Sequence, residues 1–230
     1  MGELNSRHRL FPDVMQEDRG RRLARSTPCG KSYEGVRSLN PEPEGTPSAG
    51  IEAAPNKWLK MACEEAKASV GEGGGPFGAV LVQVDDETGR AMRYWRDRNH
   101  VVELSDPTAH AEVSVIRSAC SELGVYHLDR IDRDESRLPQ EGPTSHCEIY
   151  SSCEPCPMCY SAIAWARIPV LVFAATRFEA SAPQVGFRDE EMHRELCKPY
   201  GERNVKVYHA SSPCAAEAFD LWRRSGNKMY

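Results

Sequence analysis

Ser152-Cys153-Glu154-Pro155-Cys156-Pro157-Met158-Cys159, read with Thr108-Ala109-His110-Ala111-Glu112 upstream, decides how this chain folds. The two stretches give H-x-E and, further along, P-C-x-x-C. They supply one imidazole and two thiolates for zinc, with a carboxylate free to move protons. Structural zinc takes four protein ligands, whereas catalytic zinc takes three and keeps the fourth position for water. Zinc lowers the pKa of water from 15.7 to about 7, so a nucleophile exists at neutral pH. A carboxylate beside the metal is suited to take the water proton and return it to a substrate nitrogen. Cys156 and Cys159 share one face if a helix begins near Pro155, since Pro is tolerated in a first turn. The positive end of that helix favours thiolates. Asp106-Pro107 or Thr108 starts a second helix ahead of His110.

Each half has a plainer reading by itself. C-x-x-C alone reads equally as a redox pair, and Cys153 with Cys156 and Cys159 reads as part of a four-ligand structural site. A lone His-Ala-Glu is usually an ordinary helical surface. The two halves together, in this order and each with a helix start, match the signature of zinc-dependent base deaminases. They predict one Zn2+ per chain on His110, Cys156 and Cys159, with Glu112 as proton relay.

The neighbourhood extends the match: Gly74-Gly75-Pro76-Phe77-Gly78, Asn99, Asp106-Pro107-Thr108, Trp165-Ala166-Arg167, Gly186-Phe187-Arg188-Asp189 and Tyr230. Over roughly residues 56 to 230 the chain resembles the guanine deaminases built on the cytidine-deaminase fold, with plant guanosine deaminases nearby. The resemblance implies hydrolytic attack at C2 of a small purine base. It also implies that Asn99 bonds the purine edge, that Asp189 lies near the exocyclic amine, and that Phe77 and Trp165 form walls. Backbone N–H groups near Ala111 and Cys156 would fix water. Close relatives carry Gly-Phe-Asp-Asp where this chain has Gly-Phe-Arg-Asp, so Arg188 is a departure. The resemblance further implies a homodimer whose C-terminal segment, with Tyr230, closes over an active site, either that of its own chain or, by exchange between subunits, that of the partner. The alternatives are a guanosine deaminase, a tRNA adenosine or cytosine deaminase, or a zinc-fold interaction module. An intact Glu112 argues against the last, because a structural site has no use for it.

Length and composition set the limits. The 230 residues, 40% hydrophobic and 27% charged, suffice for one good core plus an extension. A formal charge of −5 and a pI near 5.9 leave no footprint for a polyanion, so nucleic acid is not an expected partner. Nine cysteines are odd in number and show no framework spacing, which fits reduced thiols in the cytoplasm. No apolar run reaches the ~18 residues needed to span a membrane.

Residues 1–55, rich in Pro and Gly breakers, read as a disordered or loosely docked extension, and 56–230 as the deaminase domain. From Asn56 apolar residues recur at helical spacing to Gly71. A strand over Ala79 to Val84 pairs through a turn at 85–89 with Met92 to Trp95. A helix runs from about Ala109 to Leu123, followed by a surface excursion over 124–146. Glu148 to Tyr150 is a strand, followed by the helix bearing Trp165. Pro169 to Ala174 reads as a doubly covered parallel strand. An active-site loop covers 176–190, Val205 to Tyr208 makes the last strand, and Ala215 to Arg224 the last helix. Strands alternating with helices predict an α/β fold, a three-layer α/β/α domain on a mixed, roughly five-stranded sheet.

Overall fold

The computed structural model describes residues 56–227. The expected extension over 1–55 and Tyr230 lie outside the described residues. Helix α1 (Lys57–Gly71) begins where the Asn56 side chain accepts a hydrogen bond from the Leu59 N–H at 2.8 Å. Strand β1 (Gly78–Asp85) is buried at every position, and its side chains divide by parity. Val80, Val82 and Val84 pack with Ala62 of α1 on one face. Ala79 and Leu81 pack on the other with α3 (Ala111–Leu123) and α4 (Pro157–Trp165). These are the three layers.

Strand β1 lies between β2 (Ala91–Arg98) and β4 (Thr144–Cys153), antiparallel to both, and the short helix α2 (Val101–Leu104) follows β2. The outer edge of β4 is shared. The two-residue β3 (Ile131–Asp132) pairs antiparallel near its start, and β5 (Val170–Ala175) pairs parallel towards its end. The sheet is therefore mixed and five-stranded, as expected. Gly78 has a specific reason to be glycine. A Cβ there would run into the α1 backbone, 2.5 Å from the Ala66 nitrogen. Beside it, Glu65 is buried on α1 and paired with Arg96 at 3.2 Å and Arg98 at 3.1 Å on β2.

Four expectations are corrected. The 124–146 excursion is not a surface loop, because Leu128 and Ile131 are fully buried and Ile131 opens β3. Its backbone is also tied inward, with Leu128 N–H donating to the Ala166 carbonyl and Cys147 N–H to the Leu128 carbonyl. Val205 to Tyr208 forms no strand, since Val205 and Tyr208 are 72% and 73% exposed and pair with nothing in the sheet. β3 takes the fifth place instead. Strand β5 is half-buried rather than doubly covered, because no strand borders its outer edge among the described residues. Finally, 176–190 holds helix α5 (Arg177–Ala180) and the start of α6 (Asp189–Cys197). Helix α7 (Pro213–Ser225) forms where expected but buries no residue.

Candidate active site

Two helix N-termini converge on the metal ligands. His110 is the N-cap residue of α3, Cys156 is the N-cap residue of α4, and Cys159 lies in its first turn after Pro157. The His110 Nδ1 stands 3.6 Å from Cys156 Sγ and 3.5 Å from Cys159 Sγ. Tetrahedral zinc with ordinary Zn–N and Zn–S bonds needs an N···S separation of about 3.6 Å, so the donor set fits the ion. The three ligand atoms lie within 4.8 Å of one another, and no other such group occurs among the described residues. A hydrogen bond from Cys159, with the His110 imidazole alongside, holds the Cys156 thiol down to about 4. The two thiols thus share a proton that metal binding would displace. Cys153 takes no part. Its thiol bonds the Thr176 carbonyl and is pushed up to about 12 by burial. The four-ligand structural site that would include Cys153 is not formed, and the ligand group is His110, Cys156 and Cys159.

Glu112, in the first turn of α3, is 5% exposed, and burial pushes its carboxyl above the usual range. The Ser151 hydroxyl on β4 donates to its Oε1 at 2.9 Å. Both it and His110 face a cavity of about 530 Å3, within the range of small-molecule sites. Gly73, Gly74, Gly75, Phe77, Asn99 and Asp189 also line it. Asn99 is held by its backbone, with N–H to the Phe77 carbonyl at 3.0 Å and its carbonyl accepting from Ser69 Oγ at 3.2 Å. Its Oδ1 accepts from the Val101 N–H, which leaves the amide NH2 to donate into the cavity. Asp189 opens α6, and its carboxyl is raised by burial and by the nearby Cys156 thiolate.

Residues 53–175 match the cytidine and deoxycytidylate deaminase zinc-binding region. The chain belongs to that family. It is 38% identical over 170 residues to guanine deaminase of Bacillus subtilis (strain 168), across 74% of this chain and 92% of that protein. It is 36% identical over 118 residues to the tRNA-specific adenosine deaminase of Aquifex aeolicus, across 51% of this chain and 64% of that one. Its fold superposes on the X-ray structure of the B. subtilis guanine deaminase with a TM-score of 0.60, covering 75% of this chain and 96% of that one.

Against this deaminase frame, the cavity gathers most of the expected residues of one chain but not all. Trp165 is displaced: it ends α4, about 13 Å along the axis from the N-cap thiol at 1.5 Å per residue, and is 71% exposed. Ala111 is fully buried and brings only backbone, an N–H at the helix start with no intrahelical acceptor. Three participants were not assigned from sequence. Ser151 precedes the motif and bonds Glu112. Glu154 lies inside the motif and lines the cavity. Phe187 meets Phe77 edge-on, with ring centroids 4.7 Å apart and planes at 77°. The Gly-Phe-Arg-Asp stretch already displayed Phe187; only the fold shows which aromatic it meets.

Proposed function

We propose that the chain hydrolyses guanine to xanthine and ammonia, holding one Zn2+ on His110, Cys156 and Cys159. The observation that carries this reading is the pairing of that donor set with a base-sized cavity. Asn99 and Asp189 line it along with the rings of Phe77 and Phe187. The similarity to B. subtilis guanine deaminase, which runs past the zinc-binding region over most of both chains, supports guanine in particular. Zinc, when bound, supplies a water acidic enough to attack at neutral pH.

The chain's own groups do the rest. Ser151 engages Glu112 Oε1, so the other oxygen is the one that takes the water proton. It passes that proton to a ring nitrogen, and a second proton, from the oxygen now bonded to C2, then passes through it to the departing amine, which leaves as ammonia as the C2–N bond breaks. A carboxylate kept above its usual range by burial is a stronger base, better able to take the water proton and hold it for delivery. The Asn99 NH2 donates to the purine edge, and Asp189 accepts from the exocyclic amine. Phe77 and Phe187 offer faces and edges to the flat ring. Ala111 contributes its free N–H at the helix start.

The assembly is a homodimer. Helix α7 exposes Phe219 and Leu221, 72% and 66%, and buries no residue against the rest of the described chain. Exchange of such a terminal element between copies is a low-cost route to a twofold dimer, and it would bring Tyr230 to the neighbouring site. Eight free cysteines among the described residues suit the reducing cytoplasm. No described helix is long and apolar enough to cross a membrane.

Ammonia release from guanine, guanosine, adenine and cytosine, measured in parallel, tests the substrate. Guanine is expected to be strongly preferred. Preference for guanosine would reassign the spare cavity volume to ribose. Inosine formed in tRNA, with guanine inert, would overturn the reading.

A further inference from the structure

Arg177 joins two walls of the cavity that the sequence leaves far apart. It is the first residue of α5, whose entry is fixed by a capping box between Thr176 and Glu179. Its backbone N–H donates to Glu154 Oε2 at 3.0 Å, and its Nη1 bonds Glu154 Oε1. Its Nε donates to Glu190 Oε2 at 2.7 Å. Glu190 is braced further by Arg194 at 3.0 Å, and its own N–H donates to Ser181 Oγ at 3.0 Å. The Arg177, Glu154 and Glu190 side chains are only 18%, 17% and 15% exposed, so solvent screens them weakly.

The positions of the two carboxylates give the link its meaning. Glu154 is two residues before Cys156 and faces the cavity; Glu190 directly follows Asp189, which faces it from α6. A guanidinium is rigid and forked, and can hold two carboxylates at a fixed separation as a lysine cannot. Without it, Glu154, Glu190 and Asp189 are three acidic groups on facing walls, and repulsion would drive α6 outward.

We infer that Arg177 is a positioning residue: by clamping Glu154 and Glu190 it sets where Asp189 stands relative to the thiolate loop. The inference rests on Asp189 contacting the base, as proposed above. A shift of about 1 Å in such a group can cost on the order of 10²-fold.

The test uses full-length zinc-loaded protein with Arg177→Gln and, separately, Glu190→Gln, which cuts only the α6 side. Hydrogen exchange is read first. The Met192 and His193 amides should exchange about tenfold or more faster in both variants, with α3 amides and zinc content unchanged. Guanine binding is then measured in a Glu112→Gln background, where turnover does not intrude. Arg177→Gln should weaken it about tenfold or more, and adding it to Asp189→Asn should weaken binding no further, because both act through one group. Arg177→Lys should recover part of the loss. Unchanged exchange in both variants, zinc lost from Glu190→Gln, or fully additive binding losses would each overturn the clamp. If Arg177→Gln does not fold, Glu190→Gln alone decides. Wild-type protein that binds no guanine sinks the substrate reading, while exchange still decides the clamp.

Discussion

Glu112 and Cys156 are neighbours in the site but answer to different physics. Burial acts against charge on Glu112, whereas a helix start and two hydrogen-bond donors favour it on Cys156. Their substitutions should therefore separate. Glu112→Gln keeps the shape and the acceptor for Ser151, so zinc and guanine binding should survive while turnover drops ~10²–10⁴-fold. Turnover within a few fold of wild type would remove the proton relay. Cys156→Ala should lose both zinc and activity, and wild-type zinc content in that variant would refute the ligand set. His100 makes a pH prediction beside Asn99. Its Nε2 meets Asp97 and its Nδ1 meets Glu103, both at 2.6 Å, and those bonds raise it above its ordinary value. A raised histidine adds stability that is fully present below about pH 6.5 and is lost as pH rises through its folded pKa. Wild type should thus lose its stability advantage over His100→Gln between neutral and mildly alkaline pH, as followed by denaturant melts. A constant difference across that range would remove the charged clamp.

At the scale of elements, α3 and α4 matter for where they begin. Each presents its first turn to the same point, so ligand spacing is set by how both pack on β1 and β4 and not by local sequence. The return of the 124–146 segment is held by polar contacts. Gln140 donates to the Ile131 carbonyl at 3.1 Å and accepts from Ser145 Oγ at 3.1 Å and from buried Gln83 at 3.3 Å. Gln140→Ala strands those groups, at a cost of ~1–3 kcal/mol. A clear fall in melting temperature is expected, with the KM for guanine unchanged because none of these residues lines the cavity. An unaltered melting temperature would show that the network is replaceable by water.

At the scale of the whole molecule, burial thins towards the C-terminal end: Ala180 on α5 is the last buried residue among those described, and from Lys198 to Asn227 none is buried. In the proposed dimer, exchanged C-terminal segments would supply cover here and exclude water from the base. Sedimentation should give a dimer, and Phe219→Asp with Leu221→Asp should dissociate it. Deleting Asn227 to Tyr230 should leave zinc and folding intact while cutting guanine turnover on the order of tenfold or more, as for loss of a closing segment. Mixing that deletion with the Glu112→Gln chain distinguishes the arrangements: regained activity supports exchange, and none favours closure within one chain. Full activity of the deletion alone would refute a covering role.

Residue types with strong local chemistry were legible in the sequence by itself. The His110, Glu112, Cys156 and Cys159 set follows from what zinc and a proton relay require. The α1 and α3 helices follow from periodicity, because each buries a repeating stripe, and the β1–β2 hairpin follows from an apolar run ending in the turn at 85–89. What the sequence could not convey depends on partners distant along the chain. Leu128 and Ile131 are single anchors in polar surroundings, without a period to reveal them. Val205 to Tyr208 has strand-forming residues, but a strand needs a neighbour, and none stands there among the described residues. Trp165 sits in a family motif yet lies outside the lining of the cavity, where it was expected to form a wall with Phe77. Ser151 and Arg177 carry no signal of their own, and Phe187 stands in a quoted motif that does not say which ring it meets. Only the tertiary structure sets a hydroxyl against Glu112, one ring against another, and a guanidinium between two carboxylates, because those contacts exist only once the sheet has brought their elements together.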